Sequence, residues 1–172
     1  MKIDPRHLKE IEKLIPERER QAFVNNAIDQ AIFLHKASHT KTIEIYVDGG
    51  SRGNPGKAGG GFVIFKAGKE MTRGKEYFGE KTNNQAEYLA LRLALREAYD
   101  RFADSTIKCF MDSQLVVEQM KGNYKVKSEN IKALHNEVCR IADQFKSFNI
   151  MHIHREQNKR ADQLANEAMD EA

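Results

Sequence analysis

The stretch IEIYVDGGSRGNPGKAGGG, residues 43–61, sets the strongest limits on what this chain can fold into. Ile43, Ile45 and Val47 alternate with Glu44, Tyr46 and Asp48, the period of two expected of a strand with one buried face. Asp48 ends the alternation. Gly49, Gly50, Gly53, Asn54, Pro55 and Gly56 then read as a tight glycine-rich turn, and a second strand follows from Gly60 to Ala67. An acid at the carboxyl end of a strand, beside backbone that a ligand can approach closely, suits a metal ion or a phosphate. Taken alone, the stretch is equally a hairpin that carries a surface aspartate.

The remaining periodicities place this hairpin in an α/β domain. A third strand is expected near Met71–Phe78. Short turns join the three strands, so they form an antiparallel meander. Thr82 or Asn83 caps a helix that reaches about Tyr99; apart from the polar stripe Arg92, Arg96 and Asp100 it is rich in Ala, Leu and Tyr, which makes it the central packing element. Thr106 to Asp112 is a fourth strand and, like the first, ends on an acid. Ser113–Met120 and a segment capped by Ser128 are helices, Phe148–His152 is a fifth strand, and Asn158 opens the last helix. The order β-β-β-α-β-α-α-β-α predicts a mixed sheet with helices packed on it.

Residues 1–40 read differently, as an N-terminal helical extension to a domain over residues 41–172. Leu8, Ile11 and Ile15 recur at helical spacing, Pro16 can start a second helix, and Phe23, Val24, Ala27, Ile28, Ala31, Ile32 and Leu34 form a broad apolar face. Ala37 to Lys41 reads as the linker. That face needs cover, either from the rest of the chain or from a second copy in a homodimer. No apolar run approaches a membrane span, residues 1–13 lack a signal-peptide core, and Cys109 and Cys139 lack zinc-site spacing. The expectation is a cytoplasmic protein with reduced thiols and no membrane partner.

Four acids stand at the ends or faces of the expected elements: Asp48, Glu87, Asp112 and Asp162. Gathered in one place without lysine or arginine to compensate, they would repel one another strongly. Divalent cations remove that repulsion, and oxygen-only ligation favours Mg²⁺ or Mn²⁺ over zinc. Residues 41–172 carry 21 Lys/Arg against 19 Asp/Glu, so with the four acids set aside the remainder is basic. A basic surface around an acidic pit suits a polyanion held through metal.

The blocks DGGSRGNPGKAGGG, TNNQAEYLAL, MDSQLVVEQM and HREQNKRADQLA, in this order and spacing, resemble type 1 ribonuclease H across residues 41–172. The resemblance implies a ribonuclease H-like fold, with a five-stranded mixed sheet flanked by helices. It implies metal-dependent endonucleolytic cleavage of the RNA strand of an RNA–DNA hybrid, using two Mg²⁺ or Mn²⁺ ions and leaving 5′-phosphate and 3′-hydroxyl ends. By motif match Asp48, Glu87, Asp112 and Asp162 are the catalytic metal ligands. Gly49, Gly50, Asn54, Asn83, Asn84 and Gln114 match positions that contact the hybrid. Contacts of this kind can read an RNA 2′-hydroxyl in a shallow groove. Capping roles for Asn83, Asn84 and Asn158 are the plainer alternatives.

The chain departs from the longer bacterial members of that family in two places. The segment Gly122–Lys127 replaces a basic helix and loop and keeps only Lys121, Lys125 and Lys127 nearby. A compact His152-Ile153-His154-Arg155 turn replaces a longer histidine-bearing loop. Arg155 and His154 are candidates for assisting turnover, and His152 reads as structural. Two other functions stay open: a non-catalytic nucleic-acid-binding domain of the same fold, and a nuclease that also cuts double-stranded RNA.

Overall fold

The computed structural model describes residues 4–39 and 42–172. The chain divides into two compact units, residues 1–40 and residues 41–172. The first contains α1 (Pro5–Leu14) and α2 (Glu17–His39). Asp4 starts α1 by accepting the Arg6 N–H at 2.8 Å, and Pro5 follows where no N–H is needed. Arg20 braces the corner between the helices by donating to the carbonyls of Ile15 and Glu12, at 3.0 and 2.8 Å. Ile11, Phe23, Val24, Ala27 and Ile28 line an apolar groove along the pair. The helix runs through the first part of the expected linker, because Ala37, Ser38 and His39 contain no helix breaker. The rest of that linker, Thr40 and Lys41, and the side chains of Phe33 and Leu34 lie outside the described residues.

The second unit contains β1 (Thr42–Gly53), β2 (Gly56–Lys66), β3 (Lys69–Lys81), α3 (Asn83–Phe102), β4 (Thr106–Met111), α4 (Gln114–Met120), α5 (Glu129–Ala142), β5 (Ser147–His152) and α6 (Lys159–Asp170). The sheet order is β3-β2-β1-β4-β5. The first three strands pair antiparallel; β4 pairs parallel to β1 and to β5. This is the five-stranded mixed sheet expected from the sequence. Ile43, Ile45, Val47, Ile64, Ile107 and Cys109 point into a core covered by Tyr88, Leu91 and Leu95 of α3, with Val138 of α5. Helix α6 covers the opposite face of β1, β2 and β3. Lys75 on β3 ties it down through Glu167 at 3.1 Å and Glu171 at 2.6 Å.

One boundary differs from the expectation. Residues 49–53 are strand, not turn. The ladder continues through Gly49↔Gly60, Gly50↔Gly59 and Ser51↔Ala58, and reverses only at Gly53–Gly56. The glycines serve close packing. A Cβ on Gly49 would lie 2.3 Å from the Ala86 carbonyl oxygen of α3, and one on Gly61 would lie 2.5 Å from Leu164 Cβ of α6. Helices thus press on both faces of the hairpin at once, which residues with side chains would prevent.

Candidate active site

Parallel pairing between β1 and β4 ends at Tyr46↔Phe110. Past that point β1 stays with β2 alone, and a crevice opens at the carboxyl end of β4. Asp48 and Asp112 flank it, the usual ligand position in an open α/β sheet. Helix α3 begins beside the crevice because Thr82 and Gln85 form a reciprocal capping box, and the close contact at Gly49 draws its first turn onto β1. That presents Glu87. Helix α6 crosses the other face and presents Asp162. The result is a cleft of about 270 Å³ lined by all four acids together with Gly49, Gly50, Asn83 and Arg155. Residues separated by 114 positions in the chain thus share one site.

Three of the acids are held by neighbouring donors. Glu87 accepts Ser113 Oγ–H at 2.7 Å and Asn83 Nδ2–H at 3.2 Å. Asp112 accepts Asn158 Nδ2–H at 3.0 Å. Asp162 accepts Arg155 at 2.6 Å and Asn166 Nδ2–H at 3.3 Å. Among the described residues no three His, Cys, Asp or Glu side chains are arranged as a ready-made metal cage.

The charge is nonetheless concentrated. Burial pushes the Asp48 carboxyl up to about 7, with the negative charges of Asp112, Asp162 and Glu87 adding to it. Burial also raises Glu87 to about 7, with help from Asp112, although the bond from Ser113 opposes the shift. Both groups are half-buried. Arg155 and Arg52 both line the cleft; Arg155 stands beside Asp162, and Arg52 is engaged by Asp170 at 2.6 Å. The cleft thus concentrates negative charge, and added positive charge would let more of the four carboxylates ionise together.

The other expected residues divide. Asn83 lines the cleft, its Oδ1 accepting the Ser51 N–H at 3.2 Å. Asn54 stands one step back and accepts the Asn83 N–H at 3.2 Å. Gly49 is buried against α3, whereas a Cβ on Gly50 would meet only Met169 Cε, at 3.8 Å, so Gly50 is the exposed backbone of the pair. Asn84 faces a separate groove of about 570 Å³ with Leu115, Tyr124, Lys125 and Lys127. Gln114 is exposed on the first turn of α4 and lines neither cavity. His152 is exposed with its Nε2 3.2 Å from the Asp112 carbonyl oxygen, and His154 heads the short 3₁₀ turn Arg155–Gln157.

Sequence reasoning misses Ser113 and Asn166, and it weighs Asn158 only as a helix cap or a substrate contact. Asn166 was open to discovery, since it follows Asp162 by four residues and so shares its helix face. Ser113 follows an acid directly and was read only as a helix start. Asn158 reads as a helix cap, yet its side chain makes no capping bond and is buried.

Residues 46–168 match the family described as reverse transcriptase-like. The Bifunctional protein Rv2228c of Mycobacterium tuberculosis is 42% identical over 132 residues, 76% of this chain and 36% of that protein. The chain therefore spans about a third of that relative's length. The crystal structure of RNase H1 from the halophilic archaeon Halobacterium salinarum superposes with a TM-score of 0.73 at 39% identity, covering 76% of this chain and 99% of that one. LC11-RNase H1, solved in complex with an RNA/DNA hybrid, gives a TM-score of 0.71 at 43% identity and covers 75% of this chain and 97% of that one. By its fold, its matched residues and these similarities, the chain belongs to the type 1 ribonuclease H family.

Proposed function

We propose that residues 41–172 form a catalytic domain that hydrolyses the RNA strand of RNA–DNA hybrids internally, leaving 5′-phosphate and 3′-hydroxyl ends. The observation that carries this reading is the convergence of Asp48, Glu87, Asp112 and Asp162, from four different elements, on one cleft. The raised Asp48 and Glu87 carboxyls support it as well, because a site in this state gains by taking up cations. The donor set is all oxygen, which fits hard divalent ions, Mg²⁺ or Mn²⁺, and two of them balance four carboxylates. Bound there, such ions supply Lewis-acid activation of a water and charge neutralisation at the leaving oxygen.

The protein's own part is positioning. Ser113 and Asn83 fix both oxygens of Glu87. Gly50 leaves the cleft floor open to a phosphodiester. Asn83, Asn54 and Gly49 shape that wall, and to Asn84 and Gln114, outside the cleft, we assign contacts with the duplex beyond it. Arg155 holds Asp162 and assists turnover by competing for that carboxylate; His154 is the lesser candidate for that role. The solved hybrid complex of LC11-RNase H1 supports the choice of substrate. Among the described residues no helix is long and apolar enough to cross a membrane, and we take the protein to act in the cytoplasm.

Labelled RNA–DNA, RNA–RNA and DNA–DNA duplexes, each incubated with Mg²⁺ or Mn²⁺, test the reading. Cleavage of the hybrid's RNA strand alone is expected. Cleavage of RNA–RNA duplex would widen the substrate, and binding without cleavage would make the domain a non-catalytic reader.

For residues 1–40 we propose self-association into a homodimer. Phe23, Ile28 and Ile32 of α2 are 46%, 36% and 47% exposed. Such side chains gain roughly 25 cal/mol per Å² when covered. A dimer would present two sites to one long hybrid and raise its effective affinity.

A further inference from the structure

Asn158 holds a position that a helix cap would not explain. Its side chain is 1% exposed and turned away from the start of α6. Nδ2 donates to the Val47 carbonyl at 2.9 Å and to Asp112 Oδ1 at 3.0 Å. Its own carbonyl accepts the Asp162 N–H at 3.1 Å. One residue therefore touches the backbone next to Asp48, the carboxylate of Asp112 and the backbone of Asp162.

The chemistry of these contacts restricts what can stand there. Two acceptors, a carbonyl and a carboxylate, face one side-chain group, so that group must supply two N–H bonds. The amide orientation follows, because the reverse would set Oδ1 against both acceptors. In this orientation Oδ1 is buried without a partner. Such an orphan is ordinarily costly, and a residue chosen for packing alone would avoid it. Aspartate would repel Asp112, leucine would leave both acceptors bare, and lysine or arginine would cancel the charge of Asp112. A neutral double donor fixes that carboxylate and leaves its charge intact.

We propose that Asn158 is a positioning residue: it holds the Asp112 carboxylate, in register with β1, in the orientation that serves a divalent cation. The proposal rests on the four-carboxylate reading above. Outer donors to metal-binding carboxylates commonly contribute 10- to 100-fold in metal affinity, by a rough general measure.

The test compares the full chain with its Asn158→Ala variant. Mg²⁺ affinity is measured by calorimetry without hybrid, cleavage is split into kcat and KM well below the melting temperature, and melting is followed in EDTA. The expected result is Mg²⁺ affinity weaker by about tenfold or more and a lower kcat, with KM for the hybrid nearly unchanged. A folded variant that melts earlier but keeps wild-type Mg²⁺ affinity and kcat would show a merely structural role and overturn the proposal. Should the variant fail to fold, the Asn158 side-chain amide signals of the wild-type protein decide. On Mg²⁺ titration they are expected to shift with the same midpoint as the Asp112 backbone signal. Signals that stay fixed while Asp112 responds overturn the proposal. A wild-type chain that binds no Mg²⁺ would overturn the four-carboxylate reading, and this inference with it. Normal wild-type binding with an indifferent variant overturns this inference alone.

Discussion

Arg155 donates to Asp162 at 2.6 Å across the short turn that joins β5 to α6. The arginine side chain is 73% exposed and the aspartate 27%, so water and salt screen the pair and it adds little to stability. Its effect falls on the site, because it places a removable positive charge on one of four carboxylates.

Arg155→Ala is therefore expected to slow turnover more than it weakens hybrid binding. His152→Ala removes only a bond to the Asp112 main-chain carbonyl and should leave the single-turnover rate nearly unchanged. Rapid-quench kinetics and hybrid titrations on both variants check this division. Equal effects on the single-turnover rate would refute it.

Asp112→Asn keeps the shape of the side chain and removes its charge. Cleavage is expected to fall by several orders of magnitude while the melting temperature holds and hybrid binding in Ca²⁺ survives. Substantial Mg²⁺-dependent turnover in this variant would remove Asp112 from the proposed ligand set.

Asp48 and Glu87 titrate near 7 in the folded chain, against ordinary values of 3.8 and 4.5. Between those limits the folded chain holds more protons than the unfolded one. Their contribution to stability is thus fully present below about pH 4 and is lost as pH rises through about 7. In EDTA the protein should be less stable at pH 8 than at pH 5, by on the order of 3 kcal/mol, since both groups keep some solvent. Excess Mg²⁺ should close most of that gap by favouring the ionised acids. Thermal melts at the two pH values, with chelator and with Mg²⁺, measure both effects.

Gly49→Ala would force a methyl group to within 2.3 Å of α3 backbone that cannot swing aside, whereas Gly50→Ala meets only a flexible methionine tip. Urea denaturation should show Gly49→Ala destabilised by about 2 kcal/mol or more and Gly50→Ala by less than about 0.5 kcal/mol. Gly50→Ala should instead slow cleavage, since the new methyl group would stand on the cleft floor.

Light scattering on the full chain and on residues 41–172, at tens of micromolar, tests the proposed role of the helical unit. The full chain should be a dimer and the shorter chain a monomer. Two monomers would refute self-association.

The sheet and the four acids could be read from the sequence because each rests on a local signal. The alternation from Ile43 to Asp48 gave β1, and the capping residues gave α3. Gly49 and Gly50 read as turn but are strand, because glycine signals turning and close approach alike; only the placement of α3 and α6 distinguishes the two. Asn158 does stand at the N-cap of α6, but the role of its side chain is not legible locally. Its acceptors, Val47 and Asp112, are 111 and 46 residues away, and nothing in the local pattern announces them. Asn84 and Gln114 carry substrate roles by motif match alone, and both lie outside the lining of the cleft.

An open five-stranded sheet has two borders, and β3 forms the longer. Seven of its 13 residues are Lys, Arg or Glu, and its register with β2 slips at Ala58/Gly59 and again at Ile64/Phe65. A border this charged and irregular is a poor template for another strand. The opposite border, β5, offers only six residues. Strand-to-strand polymerisation of residues 41–172 is therefore blocked at both ends of the sheet. Crowded copies on a long nucleic acid should stay separate proteins instead of merging into a continuous sheet.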